Sequence, residues 1–232
     1  MGNYTYSIVT QALVKKYRSI NVLLTSACFG NSTDLSQKIL KQYKSYGIAY
    51  FRPFLNKTCS QIALFNYKNP IIKKSLWEAK FTYKQRYVHL YASLIAELLI
   101  EQLSELSLTH NFTRPVICIV PSHKKRIRKR HGYYSNKILA ESIHKQLNDH
   151  EIKIDIGLIQ KVRETTQQSR TKNRSERITN PQGAFACNQH KSISKNIILL
   201  DDVYTTGATM GECTQVLIKS GAKRILQITI AK

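Results

Sequence analysis

Two adjacent carboxylates, Asp201 and Asp202, end an apolar run, Asn196-Ile-Ile-Leu-Leu200, and lead into Val203-Tyr-Thr-Thr-Gly-Ala-Thr209. An apolar run of that length reads as a buried strand that delivers polar groups to its C-terminal mouth. The loop Thr205, Thr206, Gly207, Ala208 and Thr209 can turn successive backbone N–H groups and three hydroxyls toward an anion. Gly207 allows close approach, and the helix that follows adds positive potential at its N-terminus. Asp201 and Asp202 would repel a phosphate they touched, so they suit hydrogen bonds from sugar hydroxyls instead. A sugar phosphate satisfies both halves. The plain alternative is an N-capped helix with a threonine-rich turn and two solvated acids, although paired acids at the mouth of a buried strand are electrostatically awkward without a ligand.

A second concentration of chemistry lies in His123-Lys-Lys-Arg-Ile-Arg-Lys-Arg-His131, which carries six formal positive charges and no acid. It follows another apolar run, Pro115-Val-Ile-Cys-Ile-Val120. Such a run can be a solvated loop, a phosphate-binding loop, or part of a track for nucleic-acid backbone. On the last reading Lys125, Arg128 and Lys129 join Arg170 and Arg174, with Tyr83, Tyr133 and Tyr134 available to stack on bases. Cys118 falls in a strand pattern and Cys213 in a helix pattern, which makes both core residues rather than nucleophiles. Trp77 and Phe81 read as a packing pair.

These groups need a scaffold, and the C-terminal third shows its grammar most clearly. Met210, Cys213, Val216, Leu217 and Ala222 lie near helical spacing, Gly221 suits the position just past a helix end, and Arg224–Ile230 reads as a strand. Strand, helix and strand at this spacing argue for a parallel α/β sheet. Upstream, Ile138, Leu139, Ile143 and Leu147 predict a helix after the 115–120 strand. Residues 163–185 are polar and aperiodic, with Asn180-Pro181 and Gly183, and predict a long hood over the sheet. Leu90, Leu94, Ile95, Leu98, Leu99 and Leu103 define a strong amphipathic helix, and Leu35, Ile39, Leu40 and Tyr43 a shorter one closed by Gly47. We place the boundary between a small N-terminal α+β unit, 1–64, and the sheet domain, 65–232, near residue 65.

Composition narrows the classes. A chain of 232 residues with 42% hydrophobic content can bury one sizeable core and a smaller unit. Five isolated cysteines without a C-x-x-C pair argue against a disulfide framework and for a reducing, cytoplasmic setting. No secretory leader is evident, and Leu90–Leu106 is interrupted by Glu97, Glu101 and Glu105, so no membrane span is expected. The net charge of +22 divides as +10 over residues 1–115, +9 over 116–190 and +3 over 191–232. That spread predicts a salt-sensitive attraction to polyphosphates, nucleic acid or an anionic surface.

The run Ile197–Thr209 resembles the phosphoribosyl-pyrophosphate (PRPP) loop of type I phosphoribosyltransferases. Arg126-x-Arg128-x-Arg130-x-Gly132-Tyr133, Arg163-x-Thr165-x-x-Gln168, Arg177-x-x-Asn180-x-x-Gly183-Ala-Phe185 and Asp201–Thr209 resemble, in order, the successive blocks of the ComF (competence protein F) family. The segment 70–99, with Leu76, Lys80 and Phe81, is similar to the family's stretch before its catalytic domain. The resemblance implies a type I phosphoribosyltransferase-like parallel sheet flanked by helices, and catalytic roles for Asp201 and Asp202. It further implies a ligand, PRPP or a nucleotide 5′-phosphate, whose diphosphate lies at Ser122, Lys124, Arg126 and Arg130. Mg²⁺ would enter through the ligand's oxygens rather than on protein ligands. Phosphoribosyl transfer linked to DNA uptake would be the activity, or else non-catalytic handling of single-stranded DNA or nucleotide sensing with the retained pocket. Two features depart from the family. Its zinc ribbon is missing, because Cys28 and Cys59 cannot make a four-ligand site alone, so no structural zinc is expected. The block Arg-Gly-Phe-Asn-Gln is replaced by His131-Gly-Tyr-Tyr-Ser135, which loses the family's pair of amides.

Overall fold

The computed structural model describes residues 34–52, 58–122, 127–128, 135–147, 152–163, 165, 181–188 and 193–232. Lys124, Lys125, Arg126, Lys129, Arg130, Tyr133, Tyr134, Arg170, Arg174, Cys28 and most of the expected hood lie outside them. The chain divides into Met1–Gly47 and Ile48–Lys232. In the first unit the described residues form helix α1, Asp34–Tyr46, closed as expected at Gly47, whose φ of 65° is left-handed.

The second unit is a mixed α/β fold around a six-stranded, mostly parallel sheet. Its elements in order are β1 (Tyr50–Arg52), β2 (Cys59–Phe65), α2 (Pro70–Phe81), α3 (Gln85–His110), β3 (Val116–Ile119), α4 (Ser135–Gln146), β4 (Lys153–Ile154), β5 (Ile159–Lys161), β6 (Phe185–Cys187), β7 (Asn196–Val203), α5 (Ala208–Lys219) and β8 (Arg224–Ala231). The strand order is β1-β2-β8-β7-β3-β4, and β1 alone runs antiparallel to its neighbour. The sheet therefore begins earlier than residue 65. Cys59–Phe65 is a buried strand paired with β8, and the boundary expected at 64/65 falls instead at Gly47/Ile48. The run Ile-Ala-Leu-Phe is short, and its partner lies in the last strand, so local patterning could not assign it to the sheet.

Both faces of β7 are covered, which is why its first five residues are all buried and read as a continuous apolar run. Ile197 and Leu199 pack with Met210, Cys213 and Leu217 of α5 and with Ile159 and Phe185 of the antiparallel β5–β6 pair. Strand alternation turns Ile198 and Leu200 to the other face. There Leu76, Ala79, Val88, Tyr91 and Leu139, from α2, α3 and α4, gather around Ile230. Helix α3 is about 39 Å long, and its buried stripe includes Tyr87, Leu90, Tyr91, Leu94, Ile95, Leu98 and Leu99. The entry to β7 is pinned by Asn196, whose Nδ2 donates to the Thr113 carbonyl at 2.8 Å and the Asn111 carbonyl at 3.3 Å.

Connections leave the centre of the sheet in opposite directions. From β3 the chain crosses through α4 to β4, and from β7 it crosses through α5 to β8 on the far side. With α4 and α5 on opposite faces, a crevice opens at the C-terminal ends of β3 and β7. That switch point is where open α/β sheets bind ligands.

Candidate ligand site at the ends of β3 and β7

Strand β7 runs three residues beyond the apolar run, so Asp201, Asp202 and Val203 still hold strand backbone at the crevice. Alternation sends the two carboxylates to opposite faces. Asp202 meets Lys80, whose Nζ forms a short ion pair with Oδ2 and comes from the last turn of α2. Helix α2 is set by its start: Asn69 Oδ1 accepts from the Ile71 amide at 2.9 Å, and Pro70 occupies the first turn. The buried residues Ile72, Leu76 and Ala79 face the sheet, which brings Lys80 beside Asp202. Asp202 Oδ1 also accepts from the Val203 amide at 2.9 Å.

Asp201 is held from the other helix. Asn136 Nδ2, in the first turn of α4, donates to Asp201 Oδ1 at 3.0 Å, and the Asp202 amide donates to the same oxygen at 2.9 Å. Burial, and then the neighbouring Asp202 charge, push Asp201 up to about 7; Lys80, Asn136 and the Asp202 amide oppose the rise. For Asp202, burial also acts upward. The charge and hydrogen bond of Lys80, with the Asp201 and Val203 contacts, outweigh it and hold Asp202 below its ordinary value. The shared surroundings thus make Asp201 the better proton holder of the two and Asp202 the better acceptor, a set suited to the hydroxyls of a diol.

Beyond the acids, the chain turns sharply. The Tyr204 amide donates to Ala231 at 2.8 Å, and Gly207 takes a left-handed φ of 79° as the N-cap of α5. A side chain at Gly207 would run into the Tyr204 ring. A glycine cap has no side chain to close the first helical turn. Thr206 Oγ1 accepts a long bond from the Ala208 amide at 3.4 Å, and Gly211 reaches back to Gly207 at 2.7 Å. Thr205 is exposed, while Thr206, Gly207, Ala208 and Thr209 are half-buried at the start of α5.

On the β3 side, the Val120 amide donates to Leu200 at 2.9 Å, which sets the exit of β3 level with the exit of β7. Half-buried Ser122 follows two residues later, and Arg128 is exposed. The structure thus sets Asp201 and Asp202 directly before the Thr205–Thr209 loop, and Ser122 two residues past the point where β3 pairs with the end of the apolar run of β7. Lys80 and Asn136 had not been read as site residues. Asn136 had no motif to mark it, and Lys80 was noted only as one residue of a segment lying far from Asp202 in sequence. Cys118 and Cys213 are core residues, and burial pushes both thiols well above their usual range. Trp77 and Phe81 pack on each other at 5.8 Å but on the surface, 55% and 44% exposed. No described helix is long and apolar enough to cross a membrane.

Comparison with known proteins gives partial likenesses. No family model matches the chain. Over 64 residues, 28% of the chain, it is 38% identical to competence protein ComFC of Streptococcus pneumoniae, covering 29% of that protein. Over 50 residues, 22% of the chain, it is 40% identical to the transcriptional regulator GfcR of Picrophilus torridus, covering 26% of that protein. The chain thus spans less than a third of the length of either curated relative. A hypoxanthine phosphoribosyltransferase from Staphylococcus aureus is similar at a TM-score of 0.35 and 15% identity, over 61% of this chain and 62% of that one.

Proposed function

We propose that the Ile48–Lys232 unit is a phosphoribosyltransferase-like domain that binds PRPP or a nucleotide 5′-phosphate. The observation that carries this reading is the conjunction at the switch point: two adjacent acids, Asp201 held by Asn136 and Asp202 by Lys80, directly followed by a glycine-capped helix start. Asp201 and Asp202 take the ribose hydroxyls, and the Thr205–Thr209 loop takes the 5′-phosphate. A diphosphate would extend from C1′ toward Ser122 and the basic run that follows β3, including Lys124, Arg126 and Arg130.

On this reading Mg²⁺ enters with the ligand, while Asp202 keeps its ion pair with Lys80. Bound through ligand oxygens, the ion would neutralise diphosphate charge. The protein's own contribution to transfer is positioning of C1′ and a positive field for the departing diphosphate. We place this activity in the reducing setting implied by isolated cysteines. Competence and DNA uptake, which the likeness to ComFC suggests, belong to the same proposal.

The test is calorimetric titration with PRPP and Mg²⁺ at two salt concentrations, on wild type and on the Asp201→Asn, Asp202→Asn double variant. Saturable binding that survives high salt and is lost in the folded double variant is expected. A wild-type protein that binds no phosphoribosyl ligand at either salt sinks the proposal.

One observation favours a second reading, the handling of single-stranded nucleic acid. On α2, Trp77 and Phe81 are exposed beside exposed Lys73 and Lys74, on a chain of net charge +22. Exposed aromatics among cations form a stacking platform for bases. The two readings separate on the acid pair: nucleic-acid binding on that platform should survive the double Asp→Asn change.

A further inference from the structure

The Asn136 side chain touches both edges of the crevice. Its Nδ2 donates to Asp201 Oδ1 at 3.0 Å and also lies 3.4 Å from the Val120 carbonyl, at the exit of β3. Both partners are acceptors, so the amide is oriented with its NH₂ toward them, and both of its donors are used. The residue is 7% exposed and lines the cleft with Ser135, Lys80 and Asp202. At that burial, loss of the amide would break the tie between Asp201 and the exit of β3, leaving Asp201 Oδ1 with the Asp202 amide and the carboxylate freer to rotate.

The position is informative because of what precedes it. The block at 131–135 lacks the amide pair of the sequences it resembles, yet an amide stands at the very next position and reaches the acid pair. We infer that Asn136 is a positioning residue for ligand binding: it fixes Asp201 relative to the exit of β3 and so sets the spacing between the sugar and diphosphate ends of the site. This rests on the phosphoribosyl reading above. The device is one hydrogen-bonded bridge across the switch point, and it ties two loops whose chain paths diverge.

The groups around Asp201 make the bridge measurable by pH. Asp202 on β7 and burial raise its proton affinity, Lys80 on α2 and Asn136 on α4 lower it, and Cys213 on α5 lies close enough to feel its charge. Removing the Asn136 donor should therefore move Asp201 titration upward. Replacing it with a carboxylate should raise it further, because two acids in contact share a proton.

The experiment compares wild type, Asn136→Ala and the near-isosteric Asn136→Asp, with circular dichroism to establish that each is folded. PRPP–Mg²⁺ affinity is titrated at about pH 6 and about pH 8, and Asp201 is followed by carboxyl NMR across the same range. For Asn136→Asp we expect a loss of roughly tenfold or more at the higher pH that shrinks at the lower, where the shared proton restores a donor. Asn136→Gln should recover part of the binding lost in Asn136→Ala. Wild-type affinity in both Asn136→Ala and Asn136→Asp at both pH values overturns the inference and leaves the phosphoribosyl reading intact. If wild type itself does not bind, that reading fails, and the NMR arm decides the bridge alone: an upward shift of Asp201 in Asn136→Ala supports it, and an unchanged titration overturns it.

Discussion

Asp201 and Asp202 are one peptide unit apart, yet their proton affinities are displaced in opposite directions, because burial and the Asp202 charge outweigh the help of Lys80 and Asn136 at Asp201, whereas the Lys80 ion pair outweighs burial at Asp202. The two displacements affect stability with opposite sign. Asp201 binds its proton more tightly folded than unfolded, so its contribution is full below about pH 4 and is lost as pH rises through about 7. Asp202 is depressed, so its contribution is present above its ordinary value and is lost as pH falls through the lower folded one. Asp201→Asn keeps an acceptor for Asn136 and removes the charge, so urea denaturation should show it more stable than wild type above neutral pH, by on the order of 2 kcal/mol. The gain should vanish toward about pH 4; a gain equal at all pH values would mean that Asp201 is not the group that titrates. At this scale the sequence was half legible. The acid pair announced itself because two charges end an apolar run, whereas Lys80 and Asn136 could be found only once β7, α2 and α4 were placed.

The turn between β7 and α5 shows why a short loop can be written so specifically. Tyr204 is anchored by its amide to Ala231, and its ring occupies the space above Gly207 that any other residue would need. Gly207→Ala adds both a left-handed φ and a collision, so a loss of about 1–3 kcal/mol is expected, with phosphate-ligand binding reduced in parallel. Combining it with Tyr204→Ala should recover part of the stability in thermal melts, because only the collision is relieved; no recovery would assign the whole effect to the backbone. Elements whose partners are near in sequence were the readable ones. The β7–α5–β8 unit follows from periodicity and from Gly221, which sits just past the Ser220 cap with φ 111°. Helix α4, expected from the face made by Ile138, Leu139, Ile143 and Leu147, begins at Ser135, and its first turn carries Asn136 into the site. The antiparallel pair β5 and β6 flanks the expected hood at 163–185, most of which lies outside the described residues.

At the scale of the whole molecule, charge and topology were legible to different degrees. The excess of 36 basic over 14 acidic residues is plain from the sequence, but where it meets exposed aromatic surface is not. On the second reading above, Trp77→Ala combined with Phe81→Ala should weaken single-stranded oligonucleotide binding about tenfold or more while leaving PRPP titration unchanged. Equal binding by the variant would remove α2 from any nucleic-acid track. Strand order could not be read, because pairing of β2 with β8 joins Gln61 to Gln227 across most of the chain. That pairing also governs how the molecule comes into being. The last strand, β8, lies inside the sheet between β2 and β7. During translation β2 therefore emerges with nothing to hold its edge, and at about 5–20 residues per second it waits roughly 10–30 s for Arg224–Ala231. Until then the edge of β2 that β8 will fill stays open, the kind of surface that chaperones hold and that aggregation exploits.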